Sequence, residues 1–323
     1  MPGYAGKPYI YYRLRFQAGD VSTVRCRPIE RPFGVAVPTQ TYTAESTARR
    51  PGEVLRAMLS GVVRSRYMGY RLFLRDLRAE YSRVAFGVFW DFVDPLVLGV
   101  IFYFLMQLRV INAGELSMPY ALFVIYGLLL YRTFSESVTL SLDVMHRSRT
   151  ILTQLRLPPE ALLLAVLFRV LFNSTFRVAV MLAFSIALYS TAAAEGQSAL
   201  SLVGFAKFLA CYPLLILAGM SIGVFLAPFN VIYGDVGRAT RILLFPLRYA
   251  TPVLYAIPTA YPFNWVNALN PVSAILSGLR SLATSNTISD VGDLFARSGL
   301  FAVLFFVGWV LFHISIPVLA ERA

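Results

Sequence analysis

The sequence predicts an all-α integral membrane protein. It has six transmembrane helices, an N-terminal amphipathic interface helix, and a re-entrant hairpin between helices 5 and 6. Three observations predict this. Of the 323 residues, 57% are hydrophobic and 14% charged, with a mean hydropathy of +0.64, whereas soluble domains carry about a quarter charged residues. The apolar residues fall in blocks of about 20, the length a helix needs to cross a bilayer core of roughly 30 Å. The basic residues collect in alternate gaps between those blocks, as the positive-inside rule requires of cytoplasmic loops.

Taken in order, residues 1–60 read as a cytoplasmic N-terminal extension and residues 61–323 as the membrane domain. The extension is polar, with scattered Pro, Gly and Arg. The run at 9–16 alternates weakly, as a strand does, and Met58 is an alternative first residue. Pro, Tyr and Arg interrupt any signal-peptide core. Over 64–85, Tyr70, Phe73, Leu74, Leu77, Tyr81 and Val84 recur at three- and four-residue spacings. They make an apolar stripe, while Arg71, Arg75 and Arg78 line another face. Such a helix lies in the headgroup layer, its arginines toward anionic lipid or a partner.

The first span covers about 86–108, with Asp91 and Asp94 in its first turns and Pro95 as a kink. The second covers about 119–142 and is followed by a basic loop, 144–160. The third (161–190) and fourth (201–227) flank a small polar loop. A polar hinge, 228–241, leads to the fifth span, about 242–258, with Pro246, Pro252 and Pro258. Residues 260–285 are apolar but broken by Pro and Asn into runs too short to cross. A re-entrant hairpin fits, buried in protein or lining a wet cavity. A polar stretch, 286–297, precedes the sixth span, about 298–319.

Six spans put both termini on one side. The formal charge is +12, and residues 1–85 hold 15 of the 29 Lys and Arg against 6 of the 17 acids. The gaps assigned inside hold 21 basic residues, and those assigned outside hold three, Arg109, Arg280 and Arg297. Both termini are therefore expected in the cytoplasm. Charge placed this way is a topology signal, and nucleic acid is not an expected partner.

Several chemistries are excluded. A Walker A loop needs Lys followed by Ser or Thr, yet Lys7 precedes Pro8 and Lys207 precedes Phe208. His146 and His313 are the only histidines, too few for an HExxH zinc site. Cys26 and Cys211 are far apart and form no metal-ligand spacing. The chain is thus expected to hold no cofactor or metal and not to be an enzyme.

Four blocks carry a family resemblance: 73–96, 134–165, 230–255 and 269–282. They are an amphipathic helix running into a first span, and a second span with a basic loop before Pro. Then come a polar hinge with an Asp leading to a span that ends in Pro and Tyr, and an LNP…R block. In this order, across about 64–320, they resemble the transmembrane subunits of type-2 ABC exporters, in the branch that moves capsule, O-antigen and teichoic acid. Phe86-Gly87 and Phe89-Trp90 stand where the family has Leu-Gly and Leu-Trp, and Gly234 stands where it often has Arg.

The resemblance implies a multi-pass protein of the bacterial inner membrane. It implies a homodimer over two copies of a separate ATPase, which binds the ATP and Mg, and a polysaccharide or glycolipid passing between the copies. It places Arg71, Arg75, Arg78, Arg147, Arg149 and Arg156 at the ATPase interface, the last three being otherwise plain positive-inside charges; the re-entrant hairpin, with Asn270, Pro271 and Arg280, is expected to form an outer gate. A type-2 exporter of a drug or small lipid is the nearer alternative. A membrane enzyme acting on lipid or glycan, or an ion-coupled carrier, is further off.

Single residues in the spans carry two readings each. Arg132 and Glu136 sit four apart, where an intrahelical ion pair is possible; the competing reading puts them on a channel wall, since intramembrane charge usually pairs or faces a cavity. Arg177 is the better-placed cation of the third span. Tyr103, Phe134, Tyr249, Tyr255, Tyr261 and Trp265 are candidates for an aromatic wall along which sugar C–H faces slide, against the default of an interfacial belt.

Overall fold

The computed structural model describes residues 51–81, single positions between 93 and 108, and residues 118–148, 158–194, 196–255, 270–286 and 291–322. Eight helices are defined within them: α1 (Pro51–Tyr81), α2 (Tyr120–Arg147), α3 (Pro159–Ala187), the short α4 (Tyr189–Ala194), α5 (Leu202–Ile232), α6 (Asp235–Ala250), α7 (Pro271–Ser285) and α8 (Val291–Arg322). Of the expected first span, the described positions such as Val97, Ile101 and Phe104 are helical. The rest of that span, and residues 1–50, lie outside the described residues.

Among the described residues, four helices are long and apolar enough to cross a membrane: α2, α3, α5, and α8 from Val291 to Ser315. The all-helical membrane architecture is as expected. Several boundaries differ, for identifiable reasons. α1 begins at Pro51, well before the expected start, because Pro suits the first turn of a helix and nothing in 52–63 interrupts one. α8 begins at Val291, seven residues early, because Asp293 and Arg297 pair one turn apart at 2.7 Å and make that polar stretch helical. The expected polar hinge shrinks to Tyr233 and Gly234. α5 continues to Ile232 because Asn230 donates to Leu142 O at 3.3 Å, so its amide is satisfied within the bundle.

α2 is the centre. Most of its apolar window, 83%, is buried, against 28% for α3 and 22% for α8. α5 crosses it closely through small residues. A Cβ on Gly219 would stand 2.5 Å from Ser137 Cβ, and one on Gly223 would stand 2.4 Å from Val138 O. Glycines four apart facing serines four apart let two backbones meet, the usual device where lipid supplies no hydrophobic drive. α1 lies along α3, with Phe73 near the rings of Phe168 and Phe172 and Met58 and Leu72 buried. Leu55, Leu59, Val63 and Tyr67 form an exposed apolar stripe beside this face.

α6 has 16 residues, about 24 Å of helix, and stops at Ala250, earlier than the expected 258. It nevertheless follows α2 antiparallel over most of its length. Arg241 meets Asp143 near the end of α2. Tyr131 donates to Leu244 O at 2.5 Å, and Tyr120, the first residue of α2, donates to Leu254 O at 3.1 Å. Two tyrosine hydroxyls thus tie the rising chain to the central helix.

The glycine crossing makes a sharp prediction. Gly223→Leu overpacks the α2–α5 seam and is expected to cost about 1–3 kcal/mol, read as a lower thermal midpoint in detergent. Gly299→Leu, where a Cβ meets nothing within 4 Å, should leave the midpoint unchanged.

Candidate functional site

Glu136 of the second span and Arg177 of the third come together in one buried constellation, whereas Arg169 of the third span pairs with Glu80 of α1. Thr133 and Glu136 share a face of α2, Asn173 and Arg177 a face of α3, and Tyr212 arrives from α5. Arg177 Nη2 donates to Glu136 Oε2 and Asn173 Nδ2 donates to Glu136 Oε1. Arg177 Nη1 donates to Thr133 Oγ1 at 3.2 Å. That hydroxyl lies 2.8 Å from Tyr212 OH and gives its own proton to Leu129 O at 3.0 Å.

The charge partner the structure gives Glu136 is therefore Arg177 on the neighbouring helix. Arg177 is 5% exposed and Glu136 18%. A pair so placed is internally neutral and locks three helices to one another, which is how intramembrane charge is commonly tolerated. Arg132 is half-buried on the same helix. Phe134, expected as wall, is fully buried inside the chain with its ring 5.9 Å from that of Tyr131, so it is core. Tyr249 is exposed on α6 beside Phe245, and Tyr255 donates to its carbonyl at 3.0 Å. Tyr103, Tyr261 and Trp265 lie outside the described residues.

Asn270, Pro271 and Arg280 belong to a second constellation. Asn270 caps α7 by accepting from Val272 N at 3.0 Å, and its amide donates to Thr251 Oγ1 at 2.8 Å. Pro271 follows at the first helical position, where its missing N–H costs nothing. Arg280 is buried and donates through Nη2 to Pro252 O at 3.0 Å, with its guanidinium carbon 3.7 Å from the centre of the Phe123 ring. Gly127 makes room, since a Cβ there would come within 2.3 Å of Val253 O and 2.5 Å of Arg280 Nη2. Arg297 of α8 donates to Asn270 O at 2.9 Å. Together these groups fasten α7 to the irregular backbone after α6 and to the start of α8.

At the basic end, Arg71, Arg75 and Arg78 are exposed on α1. Arg71 lies over the Tyr67 ring and Arg75 donates to Asp76 at 2.8 Å. Arg147 reaches Asp143 at 3.7 Å. Arg149 and Arg156 lie outside the described residues.

Sequence reasoning missed Thr133, Asn173 and Tyr212, and at the basic end Asp143, Glu160, Asn230, Arg241 and His313. The available signal was a polar residue three or four positions from a charge within an apolar run. Residues 219–223 also have the GxSxG spacing of a hydrolase elbow, but they sit mid-helix, and buried Ser221 donates to Ala218 O at 2.8 Å. They make a packing seam.

Residues 70–283, more than half of the chain, match the family described as ABC-2 type transporter. The chain belongs to the ABC-2 type transporter family. Curated relatives include the O-antigen export system permease protein RfbA of Klebsiella pneumoniae. It is 25% identical over 219 residues, covering 67% of this chain and 79% of that protein. RfbA of Myxococcus xanthus is 26% identical over 246 residues, covering 74% and 88%. The polysialic acid transport protein KpsM of Escherichia coli is 21% identical over 248 residues, covering 75% and 91%. The ABC-2 match begins in α1 and ends in α7, so it includes the Glu136–Arg177 constellation and all of the second except Arg297.

The buried pair is testable. Arg177→Met strands the Glu136 carboxylate and is expected to cost about 3–5 kcal/mol, lowering the thermal midpoint sharply. Arg177→Met with Glu136→Met should recover most of that loss in a double-mutant cycle.

Proposed function

We propose that this chain is the membrane-spanning subunit of an ATP-driven exporter moving a polysaccharide or lipid-linked glycan across the bacterial inner membrane. One observation carries the reading: the ABC-2 match is joined by relatives named as export permeases of O-antigen and as a transporter of polysialic acid, along most of their length. The lack of a Walker A lysine in this sequence supports placing ATP and Mg on a separate ATPase subunit, present in two copies beneath two copies of this chain.

In this reading six helices cross, with both termini cytoplasmic, as the distribution of Lys and Arg favours. The hydroxyl ties from Tyr120 and Tyr131 support counting α6 and the bend after it as a fifth crossing. α7 is the inner limb of the re-entrant hairpin and forms the outer gate. Arg71, Arg75 and Arg78, with Arg147, Arg149 and Arg156, meet acidic groups on the ATPase, where a guanidinium pairs well with carboxylate. The passage runs between copies. Its aromatic wall comes from exposed positions such as Tyr249 and Phe245 on α6, with Tyr103, Tyr255, Tyr261 and Trp265. Glu136 and Arg177 neutralise each other away from it. ATP-driven closure of the ATPases shifts the spans between two states by contacts that differ between them.

Deletion of this chain in its host, followed by fractionation of glycan, tests the proposal. Loss of a surface polymer with accumulation inside the cell is expected. Unchanged glycan in both fractions would remove polysaccharide as the cargo.

A further inference from the structure

α1 carries two apolar faces. On the covered one Met58 and Ser65 are fully buried, and Leu72 and Phe73 nearly so. Gly61 and Gly69 let this side approach α3. A Cβ on Gly69 would stand 2.7 Å from Leu164 Cβ and 3.0 Å from Ala161 O, and one on Gly61 would stand 2.7 Å from Glu160 Oε2. Small residues at 61, 65 and 69 recur every four positions, so they form one seam along the helix. Leu74 and Leu77, expected on a lipid-facing stripe, pack against the core instead.

The other face is Leu55, Leu59, Val63 and Tyr67, spaced by four and 39%, 56%, 65% and 65% exposed. It runs for about 18 Å. The helix cannot roll to bury it. Rolling would carry these side chains toward α3, where the seam has no room for even a methyl group. An apolar stripe held outward in this way marks a surface that something else covers. All of it precedes residue 70, where the ABC-2 match begins, so the family match does not account for it.

Level and charge indicate the cover. Gly61 and Gly69 lie against Glu160, Ala161 and Leu164, in the first turns of α3. Glu160 is 2% exposed, and His313 Nδ1 lies 2.8 Å from its Oε1, two residues before the apolar stretch of α8 ends at Ser315. α1 therefore meets the bundle where two spans leave the hydrocarbon, at the depth of lipid headgroups. Arg56 and Arg66 are exposed and stand three positions from Leu59 and Val63, on the margins of the stripe. Arg64 is exposed beside Val63, and the guanidinium of Arg71 lies 5.4 Å from the centre of the Tyr67 ring. Residues 51–71 hold these four arginines and a single acid, Glu53. Apolar side chains edged by guanidinium groups fit acyl chains edged by negative headgroups.

We propose that residues 51–67 of α1 dock on anionic phospholipid at the membrane surface. Leu55, Leu59, Val63 and Tyr67 enter between the headgroups, and Arg56 and Arg66 pair with their uncompensated phosphates. The docking depends on the position of α3 in the membrane and not on the cargo. It divides α1 between two neighbours: lipid along 55–67 and, in the exporter reading, the ATPase at Arg71, Arg75 and Arg78.

The test uses the full chain with Leu59→Cys as its only cysteine, Cys26 and Cys211 being replaced by Ser. An environment-sensitive fluorophore on that thiol is followed in nanodiscs of phosphatidylcholine with a rising share of phosphatidylglycerol. Emission is expected to shift to the blue, and quenching by neutral acrylamide to fall, as phosphatidylglycerol increases. Arg56→Gln with Arg66→Gln should raise the share needed for half of the shift at least fivefold, since each guanidinium near an anionic surface is worth about that factor. Both side chains are exposed, and a thermal midpoint equal to that of the labelled parent checks that the variant is folded. A label open to acrylamide at every lipid composition overturns the proposal. So does a label already shielded in pure phosphatidylcholine and unchanged by phosphatidylglycerol, which means cover by neutral lipid or by a protein segment. A shift that the two arginine substitutions leave unaltered overturns it as well.

Discussion

Two helices in lipid gain nothing by hiding apolar surface from water, because their surroundings are already apolar. Close association has to come from shape and from polar groups that find partners. Here that requirement falls on the crossing of α2 with α5, where Gly219 and Gly223 meet the backbone and serines of α2. The rest of the structure follows from it. With α5 so close on one side and α3, α6 and α7 around it, α2 becomes a buried spine, and each polar atom it carries needs a partner on a neighbour. Tyr126 finds Ser185 at 2.9 Å, Tyr131 and Tyr120 find carbonyls near α6, and Glu136 finds Arg177 and Asn173. The polar residues of α2 are the pegs by which the other helices hang on it.

The irregular backbone at 251–255 obeys the same constraint. A chain that leaves helical geometry exposes carbonyls that a helix would have satisfied, and inside a membrane domain only protein can answer them. Arg280 answers at Pro252 and Val253 while resting its flat face on Phe123, a stacking that suits guanidinium and not ammonium. Asn270 answers at Thr251 and starts α7 with the same side chain. The break after α6 and the helix that fills the space beside it are therefore one device.

Much of this was legible beforehand, and what was not follows a physical pattern. The blocks of apolar residues gave α2, α3, α5 and α8 because hydropathy over 20 residues is a property of one stretch of chain. The block containing Asn270, Pro271 and Arg280 stood out because Pro and Asn in an apolar run break a span. Partnerships were not legible. Glu136 has Arg132 one turn away in sequence, but helical spacing cannot see across helices to Arg177, 41 residues on. Polar runs were misjudged at 228–241 and 286–297 for the same reason. Asn230 and Arg297 look like loop residues until Leu142 O and Asn270 O are seen to receive them.

The unequal burial of the helices has a consequence for how such a chain can diversify. α2 is enclosed on nearly every side, while α3 and α8 keep most of their apolar windows open. A substitution on α2 must be matched at once by a change on α5, α6, α7 or the inner face of α3, whereas one on the open faces of α3 or α8 is judged only by lipid or by a second protein. Descendants of this sequence that adapt to a new cargo or bilayer would accumulate their differences on those open faces. Along the spine, change would come in linked pairs, and slowly.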